Sequence, residues 1–134
     1  MLVLDTSALV KRYNDEAGTA LVLAAMERDA EWAASVLALV EAEVALCNSG
    51  VDDDETKRQR LRIDWERFRV VPLDAASLRR ASEIGCAQMV RTLDAIHLAA
   101  ADRFPRPLTF LTFDRRQGMA ARALGMDVIG VMEE

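Results

Sequence analysis

The sequence predicts an α/β fold in which helices cover both faces of a parallel sheet. Short runs rich in apolar and β-forming residues alternate with longer segments of helical periodicity. Parallel strands need crossover connections, and the crossover helices come to lie on the faces of the sheet. The chain has 134 residues, of which 51% are hydrophobic, so we expect one compact domain over residues 1–134.

Five segments have the composition of strands, and helical patterns fill the intervals between them. The predicted strands are Leu2–Leu4, Trp32–Ala34, Val70–Leu73, Leu108–Thr112 and Val128–Val131. The predicted helices are Ser7–Tyr13, Thr19–Arg28, Val36–Cys47, Asp53–Phe68, Ala75–Val90, Thr92–Arg103 and Arg115–Leu124. Gly125 follows the last helix as a left-handed stop. The acidic run Asp52–Glu55 suits a helix N-terminus, and a second metal site is the alternative.

Composition narrows the class of protein. We expect no signal peptide and no membrane span, because Met1–Leu4 leads directly into Asp5 and no apolar stretch approaches roughly 20 residues. Cys47 and Cys86 lie in apolar helical patterns without metal-binding spacing, which predicts free thiols in a reducing cytoplasm. The net charge of −5 disfavours a nucleic-acid partner. A divalent ion in an acidic pocket would reverse that sign locally.

Two of the predicted strands lead directly into an aspartate. Asp5 follows the first strand, and Asp114 follows the fourth. Ligands of open parallel sheets bind beyond the carboxyl ends of the strands, so both aspartates are candidate site residues. Each of them could instead only cap the helix that follows. At the first strand, Thr6 or Ser7 could provide the cap and leave the Asp5 carboxylate free.

A third candidate acid lies on the most apolar helix. From Trp32 to Cys47 the only charged residues are Glu41 and Glu43. A glutamate in such surroundings costs several kcal/mol unless it is paired or binds a metal. Helical periodicity places Glu41 beside Leu37 and Val44, toward the sheet, while Glu43 points to a different side. We therefore prefer Glu41 as the functional acid.

A fourth candidate, Asp94, lies in the first turn of a helix, where it could simply complement the helix dipole. His97, one turn later, could act as a base or a ligand, could orient Asp94, or could pack beneath it. If Asp5, Glu41, Asp94 and Asp114 converge, each close pair repels by about 4 kcal/mol at roughly 4 Å and an effective dielectric near 20. Such a cluster takes up protons or cations. Carboxylates without thiolates or clustered histidines favour Mg²⁺ or Mn²⁺.

In these motifs the chain closely resembles the PIN-domain nucleases, and among them the VapC-type toxins of toxin–antitoxin pairs. The resemblance spans nearly the whole chain and rests on Leu4–Lys11, Glu41, Leu93–Ala99 and Thr112–Asp114. It implies an α/β/α sandwich with parallel strands in the order 3-2-1-4-5, a homodimer, and Mg²⁺- or Mn²⁺-dependent endonucleolytic cleavage of RNA. It also implies a VapB-like antitoxin whose C-terminal segment wraps the toxin and fills its site.

The resemblance also implies roles for individual residues. The metal would be held chiefly by Asp5, Asp94 and Asp114, and Glu41 would position the attacking water or complete the surroundings of the ion. The full set of expected site residues is Asp5, Glu41, Asp94 and Asp114 at the metal, Thr6 and Thr112 as supporting hydroxyls, and Arg115 and Arg116 as RNA contacts. The two arginines could instead be solvated helix residues.

Two rival classes remain open at this point. A phosphatase that forms an aspartyl phosphate needs a second aspartate two residues after the first, and that position is Ser7. Receiver domains need a lysine late in the chain, and no lysine follows Lys57. The other rival is a non-catalytic interaction module, in which the acids bind only an arginine of a partner protein.

Overall fold

Five strands and seven helices make up the described part of the computed structural model, which covers residues 1–48 and 53–131. The strands are β1 Leu2–Leu4, β2 Trp32–Ser35, β3 Phe68–Val71, β4 Thr109–Leu111 and β5 Asp127–Ile129. The helices are α1 Thr6–Lys11, α2 Thr19–Arg28, α3 Val36–Cys47, α4 Asp54–Trp65, α5 Ala75–Gln88, α6 Thr92–Asp102 and α7 Arg115–Ala123. All neighbouring strands pair in parallel in the order β3-β2-β1-β4-β5. The predicted sheet topology is therefore confirmed.

The two faces of the sheet are buried under different sets of helices. Leu2 and Leu4 of β1 belong to a hydrophobic core shared with α1, α2, α3 and α4. Val3, between them, belongs to a second core shared with α5, α6 and α7. Successive side chains of a strand point to opposite faces, so the middle strand contributes to both cores. This arrangement is the predicted three-layer sandwich.

The boundaries of the elements differ from the prediction mainly around β3. This strand begins at Phe68, two residues earlier than predicted, and α4 ends at Trp65. The Phe68 ring is 5.5 Å from the Trp32 ring and 5.0 Å from the Trp65 ring, measured between centroids. This aromatic contact buries Phe68 at the start of the strand, which helical periodicity had assigned to the preceding helix.

Other local predictions have mixed outcomes. Gly125 has a φ of +82°, which confirms the left-handed stop after α7. Asp54 and Glu55 lie in the first turn of α4, as expected of acids at a helix N-terminus, whereas Asp52 lies outside the described residues.

The two cysteines, Cys47 and Cys86, are free thiols as predicted. Both are exposed, so their apolar neighbours in the sequence did not signal burial. Among the residues that the structure describes, no helix is long and apolar enough to cross a membrane.

Candidate functional site

The carboxyl ends of β1 and β4 lie side by side, because Leu4 pairs with Leu111 in the sheet. The residues that follow these strands are therefore brought together. The hydroxyl of Thr112 donates a hydrogen bond to Asp5 Oδ2 at 2.5 Å and accepts one from the backbone amide of Asp114 at 3.0 Å. This fully buried hydroxyl ties the two strand-end aspartates to each other.

Asp5 is 2% exposed and caps the N-terminus of α1. Its Oδ1 accepts hydrogen bonds from the Ala8 amide at 3.0 Å and the Ser7 hydroxyl at 2.7 Å. The expectation that Thr6 or Ser7 caps the helix and leaves Asp5 free is wrong, because α1 begins directly after β1. Burial raises the pKa of Asp5, while hydrogen bonds from Thr112, Ser7 and Ala8 act in the opposite direction.

Asp94 and Asp114 form a second acidic pair at this edge. Asp94 lies in the first turn of α6, and Asp114 caps α7 by accepting a hydrogen bond from the Gln117 amide at 3.0 Å. Burial and the charge of Asp114 raise the pKa of Asp94. Arg91 Nε lies 3.6 Å from Asp94 Oδ2, and its Nη2 lies 3.9 Å from Asp114 Oδ2. The two carboxylates thus share one loosely held guanidinium, whose side chain is 79% exposed.

Glu41 reaches this edge from α3 and contacts residues of α1 and α6. Its Oε1 accepts a hydrogen bond from the Thr6 hydroxyl at 2.6 Å and lies 2.8 Å from His97 Nε2. The hydrogen bond from His97 lowers the pKa of Glu41, against the opposing effect of partial burial. Glu43 instead forms an ion pair with Arg62 of α4 at 3.0 Å. The structure therefore places Glu41, and not Glu43, near the other acids.

Helical periodicity did not predict which residues of α3 are buried. Its buried residues are Ala38, Ala42 and Leu46. Val44, predicted to share the sheet-facing side with Glu41, is 55% exposed, so that part of the prediction is wrong. Nearly every position of α3 is apolar, so the pattern does not select a face. The small alanines are buried because they let the helix approach its neighbours closely.

The sequence reasoning missed two residues of the edge, Arg91 and Gln117. Gln117 is 1% exposed, and its Nε2 donates a hydrogen bond to the backbone carbonyl of Asp94 at 3.2 Å, which joins α7 to α6. The spacing Asp114-x-x-Gln117 is that of a capping box, which was a usable signal. Arg91 lies three residues before Asp94, the spacing of a helical ion pair.

The remaining candidates from the sequence are Arg115, Arg116 and His97. Arg115 and Arg116 are exposed on α7, and Arg116 lines a separate pocket with Gln88 and Met119. Neither arginine forms an ion pair with an acid of this edge within the described ranges. His97, for which the sequence left open the roles of base, ligand or partner of Asp94, forms hydrogen-bond contacts with Glu41 and Thr6.

The acidic edge opens into a pocket of about 460 Å³, which is lined by Glu41, Arg91, Thr92, Leu93 and Asp94. Within residues 1–48 and 53–131, no three Asp, Glu, His or Cys side chains are close enough together to hold a metal ion. Protein sites for Mg²⁺ commonly use one or two carboxylates, and water or substrate phosphate supplies the remaining ligands. Asp94 and Asp114, which share Arg91, are two such carboxylates at this edge of the sheet.

Comparison with known proteins identifies the family. The PIN domain family matches residues 2–123. Ribonuclease VapC47 of Mycobacterium tuberculosis (strain CDC 1551 / Oshkosh) is 37% identical over 130 residues, which cover 93% of each chain. Ribonuclease VapC45 of the same strain is 32% identical over 135 residues, which cover 96% of this chain and 94% of the relative.

Solved structures share the fold at lower identity. A toxin–antitoxin complex from Klebsiella pneumoniae has a chain that is 18% identical, with a TM-score of 0.74 and full coverage of both chains. VapBC-5 from Mycobacterium tuberculosis, a member of the VapBC family of toxin–antitoxin systems, is 22% identical, with a TM-score of 0.65 and coverage of 96% of this chain and 97% of that one. From the family match and the 37% identity to a relative of nearly equal length, we conclude that this chain belongs to the PIN-domain family.

Proposed function

We propose that this chain is a metal-dependent endoribonuclease, the toxin of a type II toxin–antitoxin system. The observation that carries the proposal is the unbalanced negative charge of Asp94 and Asp114, beside the buried Asp5, at the carboxyl edge of the sheet. The relatives that are 37% and 32% identical are named ribonucleases, which supports RNA as the substrate.

The donor chemistry of the edge fits Mg²⁺ or Mn²⁺, because the available groups are carboxylate oxygens. We propose Asp94 and Asp114 as the principal ligands. Asp5 would contact water bound to the ion and not the ion itself: a carboxylate has about four lone-pair positions, and three donors already occupy positions on Asp5. Glu41 completes the surroundings. When bound, such an ion activates water as a nucleophile and offsets the negative charge of the phosphate.

The protein's own residues supply rigidity and contacts with RNA. Thr112 and Ser7 fix Asp5, and Gln117 fixes the start of α6, so the acids stay in place without a ligand. Arg91 neutralises part of the acidic pair in the metal-free protein. With a cation held by Asp94 and Asp114, the exposed guanidinium of Arg91 would be available to contact an RNA phosphate. Arg115 and Arg116 extend this basic surface along α7.

We further propose that the chain forms a homodimer in the cytoplasm and that a VapB-like antitoxin inhibits it. The structural neighbours that are named toxin–antitoxin complexes support such a partner. Copurification of this chain with a coexpressed antitoxin candidate, followed by measurement of the oligomeric state with and without it, tests this part of the proposal.

The test of the activity uses purified protein, free of antitoxin, with mixed cellular RNA and millimolar Mg²⁺ or Mn²⁺. We expect Asp5→Asn and Asp94→Asn to lose more cleavage than the ~10–100-fold that changes around a metal site cost. Glu43→Gln is the matched control and should cleave like the wild type, because Glu43 pairs with Arg62 away from the edge. Full cleavage by both aspartate variants contradicts the assignment. A wild type that cuts no RNA supports the non-catalytic interaction module.

A further inference from the structure

We propose that His97 is a positioning residue that holds Glu41 in place, an inference that rests on the proposed function. His97 lies on α6 and is 4% exposed. Its Nε2 is 2.8 Å from Glu41 Oε1 on α3 and 3.2 Å from the Thr6 hydroxyl on α1. Three helices from different parts of the chain therefore meet in one hydrogen-bonded group.

The contacts assign the ring hydrogen of His97 to Nε2. The Thr6 hydroxyl donates its hydrogen to Glu41 Oε1, so both groups near Nε2 present lone pairs to it. The other ring nitrogen, Nδ1, is buried and has no hydrogen-bond partner among the described residues. A hydrogen on Nδ1 would be buried without an acceptor, which is costly. With the hydrogen on Nε2, His97 serves as a donor to the carboxylate.

This arrangement fixes one oxygen of Glu41 and leaves the other available. Oε1 receives two donors, from His97 and Thr6. No residue in the described ranges donates a hydrogen bond to Oε2. Glu41 lines the same pocket as Arg91 and Asp94. Glu41 thus keeps one oxygen without a donor among the described residues, while the two donors on Oε1 restrict the long side chain, which would otherwise be mobile.

The burial of His97 also argues against a direct contact between its ring and the substrate. Its Nε2 is occupied by Glu41 and Thr6, and its Nδ1 is enclosed by protein. No nitrogen of the ring is therefore placed to reach a phosphate in the pocket. The effect of His97 on the site passes through the Glu41 carboxylate.

The experiment is a double-mutant cycle on the full chain, with the affinity for Mn²⁺ alone measured by calorimetry and RNA cleavage measured in parallel. His97→Leu removes the donor, and His97→Gln carries an amide N–H near the position of Nε2. Glu41→Ala removes the group that is positioned. We expect His97→Leu to weaken Mn²⁺ binding by about 10-fold, within the range for residues that surround a metal site, and His97→Gln to restore most of it.

The decisive comparison uses the Glu41→Ala background. If His97 acts only through Glu41, adding His97→Leu to Glu41→Ala produces no further loss of Mn²⁺ affinity or of cleavage. Additive losses overturn the inference, and so does wild-type Mn²⁺ affinity in a folded His97→Leu variant. Urea unfolding of each variant without metal checks the fold, and His97→Ala, which also lacks the donor, carries the test if His97→Leu does not fold.

The two proposals fail in different ways. A wild type that neither binds Mn²⁺ nor cuts RNA overturns the proposed function and, with it, the role of His97. A wild type that does both, with additive effects of His97 and Glu41 substitutions, overturns the positioning role alone.

Discussion

Acidic residues at the two ends of the parallel sheet have different partners. At the amino end, Asp29 lies 3.2 Å from the N-terminal amino group of Met1, and Asp64 lies 3.0 Å from Arg12 Nε. At the carboxyl end, Asp5 receives only neutral donors, and Asp94 shares one exposed arginine with Asp114.

This difference separates acids that stabilise the fold from acids available for a ligand. An acid paired with a cation has its charge balanced within the protein. A buried acid held only by hydroxyls and amides keeps its position but has no cation of the protein beside it, and burial raises its pKa, so an opposite charge from outside is needed to keep it ionised. The fold thus preserves a region of negative potential at the carboxyl end, where parallel α/β sheets bind ligands.

Among variants that compare the two ends of the sheet, Thr112→Val should have the largest effect on stability, because it removes the donor to Asp5 and the acceptor for the Asp114 amide. We expect the free energy of unfolding to fall by about 1–3 kcal/mol, because a buried charge loses a hydrogen bond. Cleavage should fall by about 10–100-fold. Urea unfolding and RNA cleavage assays measure the two effects.

The matched control for Thr112→Val lies at the amino end of the sheet. Asp29→Asn removes the partly exposed pair with Met1 and should cost at most about 1 kcal/mol. It should leave cleavage unchanged. Equal losses of cleavage in the two variants would show that the ends of the sheet do not differ in function.

The next largest effect is an increase in stability, which we expect for Asp94→Asn in the metal-free protein. Because folding raises the pKa of Asp94, the stability that its protonated form provides is present below its unfolded pKa and is lost as pH rises through the folded pKa. The variant should lack this pH dependence and be more stable than the wild type at pH 7 by up to about 1 kcal/mol.

Thermal unfolding between pH 3 and pH 8, with and without Mg²⁺, measures this effect. Mg²⁺ should raise the melting temperature of the wild type and have little effect on Asp94→Asn. If the variant is less stable than the wild type at neutral pH, the ionised Asp94 carboxylate does not destabilise the metal-free protein, and the prediction is wrong.

The smallest effect, with opposite signs for two ligands, is expected for Arg91→Gln. Removing the guanidinium beside Asp94 and Asp114 should tighten Mn²⁺ binding by about 2–5-fold, as expected of an exposed ion pair. Binding of RNA should weaken, and the dependence of its affinity on salt should become shallower by about one phosphate contact. Calorimetry and RNA binding at several salt concentrations measure both.

The control for Arg91→Gln is Arg116→Gln, an exposed arginine that lines a separate pocket with Met119. It should leave Mn²⁺ affinity at the wild-type value. Indistinguishable Mn²⁺ affinities in the two variants would show that Arg91 has no effect on metal binding at this site.

The fold was predictable because strand-like runs and helical patterns follow each other regularly along the chain. Asp5 and Asp114 could be placed at the ligand-binding edge from the sequence, since Asp5 directly follows β1 and Asp114 lies three residues after the end of β4. The contact between Glu41 and His97 could not be predicted from the sequence. It depends on how α3, α1 and α6 approach one another, and α3 is apolar on nearly every side, so local periodicity carries no information about that approach.

The start of β3 and the position of Arg91 were missed for the same reason: both depend on contacts between distant segments of the chain. Phe68 joins the strand because it packs between the rings of Trp32 and Trp65, which is a contact between distant segments. Arg91 lies within reach of Asp114 only because α6 and α7 begin next to each other, as the hydrogen bond from Gln117 to the Asp94 carbonyl shows. Both features follow from tertiary packing and have at most a weak local signal.

The position of β1 has a consequence for how the proposed nuclease would be inhibited. The strand is the middle one of five, it contributes side chains to both cores, and the Asp5 amide bonds to the Leu111 carbonyl at 3.3 Å. Dismantling this part of the acidic edge therefore requires the whole sheet to open. We therefore expect the proposed nuclease to be inhibited by a molecule that covers the edge or competes for its charge, and not by local unfolding of one segment.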